Sequence, residues 1–243
     1  MMVKMLDGIG KIVEGYNSVI AALENNRVKE IHIKEKNLQS IKLKDLIALA
    51  DHKKINIKVV KDSKNWKFKS TEYIAALCNS KKIFKDSDLG RFSKTNFIVC
   101  DHIQDTNNLG AIARSAASFD FNVMCIPERR SARLNERTFK ISSGGLETID
   151  IVEYKSIFTL IKKFQSMDIW TIGLDMNGDQ SIQNFDVGNQ FLAFFIGSEE
   201  NGLSNEIQNK LDEVLNISTT DKIESLNVSV AAGIAMQHIF IKN

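Results

Sequence analysis

Between Asn96 and the end of the chain, short apolar runs alternate with stretches of helical spacing. The runs are NFIVCD (96–101), FNVMCI (121–126), TIDIVEY (148–154), DIWTIGLD (168–175), FLAFFIG (191–197) and EVLNIS (213–218). Helical spacing falls between several of them, at 109–119, 156–166, 205–211 and 228–241. A strand that is apolar on both sides belongs inside a layered structure, and a helix between two such strands favours a parallel crossover. The alternation therefore predicts an α/β fold with a mostly parallel sheet covered by helices. Such sheets bind ligands outside the carboxyl ends of their strands, so the loops after those strands are the places to look for chemistry.

The part before Asn96 reads as a separate, small α/β unit. NSVIAALENN puts Val19, Ile20 and Leu23 on one helical face, with Asn17 or Ser18 as its cap. KEIHIK (29–34) and INIKVV (55–60) read as strands, and LKDLIALADH has helical spacing at Leu43, Leu46, Ile47 and Ala50. NSKKIFKDSDLGRFSKT (79–95) is polar with little periodicity and reads as a linker. The expected organisation is a small domain over 1–78, a linker over 79–95 and the sheet domain over 96–243. Charge divides along the same line. Residues 1–96 hold 20 Lys+Arg against 11 Asp+Glu, and the remainder 12 against 19, although the whole chain carries only +2. A basic module joined to an acidic one points to a polyanion for the first. A lysine-rich surface kept for solubility would give the same counts.

Several classes are set aside by composition. No run of 18 apolar residues is present, so no membrane span is expected. The opening MMVKMLDGIGKIVEGY is interrupted by Asp7 and Glu14 and does not read as a secretory leader. Cys78, Cys100 and Cys125 are odd in number and far apart, which favours reduced thiols and a cytoplasmic location over disulfides or zinc. The four histidines show no metal-ligand spacing, and no metal is expected. GIGKIVEG is not a dinucleotide fingerprint, because Val13 stands where the third glycine belongs and no strand precedes it. A nucleotide-dependent enzyme would also need a phosphate loop that the sequence lacks.

Three loops carry candidate chemistry. DHIQDTNNLGAIARSAASF follows the first strand, with Asp105 and Asn108 as turn and cap residues and Arg114 about one turn inside the helix. GSEENGLS follows FLAFFI, and Gly197, Glu199 and Gly202 make a tight polar turn. SLNVSVAAGIAMQHIF opens the last helix with Ser225 or Asn227 as cap, while Ala231, Ala232 and Gly233 permit close packing. Each loop alone could be a plain connection or a capped core helix.

Together, DTNNLGAIARSA, IGSEENGL and SLNVSVAAGI resemble, in the same order, the motifs of the SpoU (TrmH) family of RNA 2'-O-ribose methyltransferases. The resemblance covers the chain from about Asn96 onward. Thr106 stands where the family usually has proline, and Ser115 replaces a common threonine. The front segment, with EGYNSVIAALENN, resembles the substrate-binding domain of the subfamily that modifies a guanosine of large-subunit (23S) ribosomal RNA. This likeness implies a SPOUT-type sheet ending in a C-terminal trefoil knot, S-adenosylmethionine as cofactor, an RNA substrate, a homodimer and no metal. It implies that Gly197, Ile217 and Leu226 bind the cofactor. It also implies that Arg114, Asn108, Glu199, Ser225 and Asn227 form the catalytic group. The likeness makes Arg114 the main catalytic residue, either as general base or, as its firmly held proton favours, as a phosphate clamp that stabilises alkoxide charge; Asn108 is expected to orient Arg114 or the ribose, and Glu199 to hold a nearby donor or the RNA. The arginines 129, 130, 133 and 137 are candidate phosphate contacts. A chain starting near Lys94 is expected to fold and bind cofactor. A transfer-RNA methyltransferase and a non-catalytic RNA-binding ribosome assembly factor are the alternatives.

Overall fold

The computed structural model describes residues 9–242, apart from Val187, Asn189, Asp221, Ile223, Glu224 and the side chain of Ser63. The first eight residues of the stretch read for a leader, and Glu224 before the last motif, lie outside the described residues. The chain forms two units. One joins the described residues up to Lys82 to Leu134–Thr148, and the other holds Ile83–Arg133 and the described residues from Ile149 onward.

In chain order, the first unit supplies β1 (Ile12–Glu14), α1 (Tyr16–Glu24), β2 (Val28–Lys34), α2 (Ile41–His52), β3 (Asn56–Val60) and β4 (Ile74–Cys78). The second begins with β5 (Ile83–Lys85), β6 (Phe97–Cys100), α3 (Thr106–Ser118) and β7 (Val123–Pro127). α4 (Glu136–Ser142) and α5 (Gly145–Thr148) belong to the first unit again. The second continues with β8 (Asp150–Tyr154), α6 (Ile157–Ser166), β9 (Trp170–Leu174), β10 (Gln180–Ser181) and β11 (Leu192–Ile196). It closes with α7 (Asn205–Gln208), β12 (Glu213–Asn216) and α8 (Val228–Lys242).

The first unit has a four-stranded sheet of order β1-β4-β2-β3, in which β2 and β3 are parallel and β4 runs against its neighbours. Ile31 and Ile33 of β2 are buried, as are Val19 and Leu23 of α1 and Leu46 and Ala50 of α2. The helix α1 starts earlier than its expected cap. Gly15 takes the cap position at φ 90°, and Asn17 and Ser18 lie inside the helix. Their side chains instead bind the returning segment: Asn17 Nδ2 donates to Ser143 Oγ at 2.7 Å and Ser18 Oγ to the Phe139 carbonyl at 3.2 Å.

That segment corrects the expected division. Leu134–Thr148 folds with the first unit because Glu147, buried, is held by Arg27 through Nε–Oε2 at 2.8 Å and Nη2–Oε1 at 3.1 Å. Burial raises the Glu147 carboxyl, and the adjacent Arg27 charge opposes that rise. An ion pair out of water is tolerable only with such bidentate geometry. The stretch read as a linker is also structured: it contains β5 and a 3-10 turn over Asp86–Phe92. Its lack of periodicity came from shortness, since a three-residue strand shows no pattern.

The second unit has an eight-stranded sheet of order β10-β12-β9-β11-β6-β7-β8-β5, and each of its pairings is parallel. The expected mostly parallel sheet is present. All residues of β6 and β11 are buried, as their apolar composition requires. Phe164 of α6 packs on Phe97 with ring centroids 4.7 Å apart and on Phe195 at 6.2 Å. The helix α3 begins at a side-chain cap, Asp105 accepting from the Asn107 amide at 2.8 Å. The three cysteines are buried and free, and burial pushes the Cys78 thiol up to about 12. No helix among the described residues is long and apolar enough to cross a membrane.

Candidate active site

The central strands β9, β11 and β12 end on one side of a cleft of about 440 Å³. Leu174, Ile196, Ile217, Leu226, Val228 and Ala231 give it apolar walls, and Asp175, Asn177, Ser198, Glu199, Thr219, Ser225 and Asn227 give it a polar rim. The position follows from the topology, because loops leave a parallel sheet at the carboxyl ends of its strands. Of the sequence-derived site residues, Gly197, Ile217, Leu226, Glu199, Ser225 and Asn227 line the cleft.

The turn after β11 is fixed by two glycines. A Cβ on Gly197 would stand 2.0 Å from the Gly202 carbonyl carbon and oxygen. Gly202 itself sits at φ 60°, where a side chain is disfavoured, and its amide donates to the Ser198 carbonyl at 3.0 Å. The doubled-back turn puts Glu199 beside the first loop. Its Oε1 accepts from the Asp105 amide at 3.3 Å and from Asn108 Nδ2 at 2.9 Å, and its Oε2 accepts from the Gln104 amide at 3.3 Å. Partial burial, the largest single influence, raises this carboxyl. The hydrogen bonds from Asn108 and the nearby backbone amides together outweigh it and hold the carboxyl below its ordinary value.

Asn108 then passes the connection on. Its Oδ1 accepts from Asn227 Nδ2 at 3.1 Å, and Asn227 Oδ1 caps the Ser229 amide at 2.9 Å at the start of α8. Three loops far apart in sequence are thus joined as Glu199–Asn108–Asn227. Asn108 is buried inside α3, not at its cap, and its partners are Glu199 and Asn227 instead of Arg114. Asn227 is the cap of α8, and Ser225 stands exposed at the rim.

Arg114 departs furthest from expectation. It lies eight residues past the start of α3, about 12 Å along the axis at 1.5 Å per residue, and not one turn in. It is exposed, does not line the cleft, and its side chain pairs with no described residue. Sequence reading missed Asp175, Met176 and Asn177, which line the cleft after β9. Asp175 Oδ1 caps the Asn177 amide at 3.0 Å. Their signal was the turn-forming run DMNGD at the carboxyl end of an apolar strand. The arginine run also divides: Arg129, Arg130 and Arg133 belong to the second unit, while Arg137 lies in the first turn of α4 in the first.

The charged lining residues are Asp175, Glu199 and Glu200, and no Lys, Arg or His is among the described lining residues. Such a cleft suits a compact ligand that carries positive charge. A polyphosphate would meet carboxylates and no counter-charge. No group of His, Cys, Asp and Glu arranged to hold a metal occurs among the described residues.

The model of the SpoU rRNA Methylase family matches residues 95–237, and that of the RNA 2'-O ribose methyltransferase substrate-binding domain matches 12–67. An uncharacterized tRNA/rRNA methyltransferase of Mycobacterium leprae is 36% identical over 142 residues, 58% of this chain and 46% of that protein. A Bacillus subtilis protein that bears the name of a TrmH family tRNA/rRNA methyltransferase is 32% identical over 146 residues, 60% of this chain and 58% of that protein. The match therefore spans about half the length of these relatives. Among solved structures, the SpoU methyltransferase AviRb of Streptomyces viridochromogenes, in complex with AdoMet, superposes with a TM-score of 0.77 at 19% identity. That superposition covers 95% of this chain and 89% of that one. At this identity the likeness speaks for the fold.

Proposed function

Because the chain belongs to the SpoU rRNA Methylase family, we propose that it is an S-adenosylmethionine-dependent RNA 2'-O-ribose methyltransferase acting on a guanosine of large-subunit ribosomal RNA. The observation that carries this reading is the cation-free cleft bounded by the Glu199–Asn108–Asn227 chain. S-adenosylmethionine, when bound, supplies a methyl group on a positively charged sulfonium. Gly197, Ile217 and Leu226 would hold it, and Asp175, Glu199 and Glu200 would favour its positive charge over the phosphates of a nucleotide.

The residues of the chain then position and activate the acceptor. Glu199, Asn108 and Asn227 fix the three loops, so the site needs little reorganisation during reaction. Ser225 and Asn227 offer a hydroxyl and an amide at the rim for the ribose. The acceptor is the ribose 2'-hydroxyl, which would take the methyl group and give up its proton to water at the open rim, where Ser225 is exposed, while the sulfur departs as a neutral thioether. Arg114 serves as a phosphate clamp and a stabiliser of the developing alkoxide, because a guanidinium holds its proton too firmly to act as a base. Methyl transfer from a sulfonium calls on no metal in this scheme.

Arg114 does not line its own chain's cleft, which supports a homodimer in which a second copy supplies it. The outer face of α8 supports the same reading: Val230, Ile234 and Ile241 recur along it and are exposed. We also read the segment from β12 through α8 as the trefoil knot, in the cytoplasm, and the basic first unit as the part that captures RNA. The compound tRNA/rRNA names of the relatives support transfer RNA as the alternative substrate in place of ribosomal RNA. Calorimetry tests the cofactor. S-adenosylmethionine should bind with a dissociation constant in the micromolar range while ATP and NAD do not. Tight ATP binding without S-adenosylmethionine binding would contradict the reading.

A further inference from the structure

We propose that the loop over residues 61–73 and the adjoining outer face of the first unit's sheet form a platform that stacks unpaired RNA bases and binds their phosphates. The proposal rests on the RNA reading above and assigns the residues that do the capturing.

Between residues 53 and 69 the chain carries seven lysines against a single acidic residue, Asp62, and Trp66 and Phe68 lie among the lysines. The structure gathers these rings. Trp66 meets Phe68 edge-on with centroids 5.1 Å apart and Tyr73 at 6.0 Å, and Phe68 meets His32 of β2 at 5.0 Å. Lys36 Nζ stands 3.9 Å from the Tyr73 ring centroid and Lys34 Nζ 4.0 Å from it. Tyr73 adopts φ 54°, a conformation unfavourable for a residue of its size. Strain at such a residue directs attention to what its ring does.

A small satellite core would explain rings alone, but it would bury them and place few charges around them. Here Trp66, Phe68 and Tyr73 are only half-buried, and Lys36, Lys58, Lys61, Lys64, Lys67 and Lys69 are exposed around them. Lys58 stands beside His32 in the parallel pairing of β3 with β2, so its side chain emerges on the same face. The carboxylates nearby are engaged: Glu30 with His32 at 2.6 Å, Glu35 with Lys61 at 4.0 Å and Glu136 with Lys69 at 3.8 Å. Lys58, Lys64 and Lys67 form no ion pair among the described residues and are available to phosphate. Half-exposed rings among exposed cations fit single-stranded RNA, whose bases offer open faces for stacking, better than a duplex, whose bases are already stacked.

The chain has two tryptophans, so the full-length Trp170→Phe protein reports on Trp66 alone. An unstructured RNA 12-mer should quench this emission saturably, and a duplex of equal length should not. In the same protein, Lys58→Gln, Lys64→Gln and Lys67→Gln together should weaken 12-mer binding about tenfold by fluorescence anisotropy. They should also make the dependence of log K on log salt shallower by about 2, at about 0.7 for each single-strand phosphate contact. Unchanged anisotropy affinity and salt slope, with no quenching, would overturn the platform and leave the RNA reading standing. Equal quenching by duplex would also overturn it, in favour of shape recognition. A protein that binds S-adenosylmethionine but no RNA of either kind would overturn both.

Discussion

Glu199 and Arg114 carry opposite charges and act by different routes. Glu199 is bonded to two backbone amides and to Asn108, so its replacement should loosen the cleft without removing a reacting group. An amide in its place can accept through one oxygen only. Hydrogen bonds to a charged group are worth about 1.5–3 kcal/mol, and exposure discounts that range. Glu199→Gln should therefore slow methyl transfer about tenfold in a folded protein, measured as single-turnover rates beside a thermal melt. The pH dependence follows from the depressed carboxyl. Its stabilisation of the loops is complete above the ordinary value of 4.5 and is lost as pH falls through the lower folded value. Acid should weaken cofactor binding below that point, and Glu199→Gln should remove this component from the affinity–pH curve. Arg114→Ala should leave cofactor affinity unchanged and lower the rate by about 10²-fold or more, the cost of losing one preorganised charge stabiliser. Arg114→Lys should recover little, because an ammonium does not reproduce the planar fork. A near-normal rate in either variant would remove Arg114 from the chemistry.

The elements that position the site were legible where they are long and buried. FLAFFI and FIVC announce strands because every residue is apolar there, and Ser156 and Asn227 announce helix starts because their side chains cap them. Short pieces were not legible. β1, β5 and α5 have three or four residues each, and α4 was hidden in a run read only for its arginines. The cleft was legible through two of the loops that line it, after β11 and before α8, and missed through the loop after β9, because DMNGD resembles any polar turn until the strand order places β9 between β12 and β11. Arg114 was misplaced by one feature: α3 starts at Thr106, ahead of the apolar Leu109 where the pattern begins. Glycines give the sharpest tests at this scale. Gly197→Ala would drive a methyl group into backbone at 2.0 Å and should cost about 1–3 kcal/mol while abolishing cofactor binding. A Cβ on Gly233 of α8 would meet Ser115 Oγ of α3 at 3.3 Å. Gly233→Ala should thus be mild and Gly233→Leu severe, which thermal melts of the pair would show. This close approach is the reason for the small residues that follow the polar start of α8.

Across the whole molecule, the chain does not divide into a front and a back. Leu134–Thr148, well inside the sequence of the sheet domain, folds with the first unit and leaves Glu147 buried against Arg27. A chain starting at Lys94 would therefore lose the β5 edge strand and strand an unpaired carboxylate, so the expectation that it folds is withdrawn. Removing one partner of a buried pair costs about 3–5 kcal/mol. The truncated protein should melt far lower than the full chain or aggregate, whereas Arg27→Met with Glu147→Leu in the full chain should keep most of its stability. The proposed reaction is ribose methylation. The most direct measurement is incubation of the full chain with methyl-labelled S-adenosylmethionine and total RNA from a strain deleted for it, followed by nucleoside analysis. Label should appear in a single 2'-O-methylated nucleoside of large-subunit ribosomal RNA and be absent with Arg114→Ala. Label on a base, or no transfer by a protein that binds the cofactor and the RNA, would contradict it.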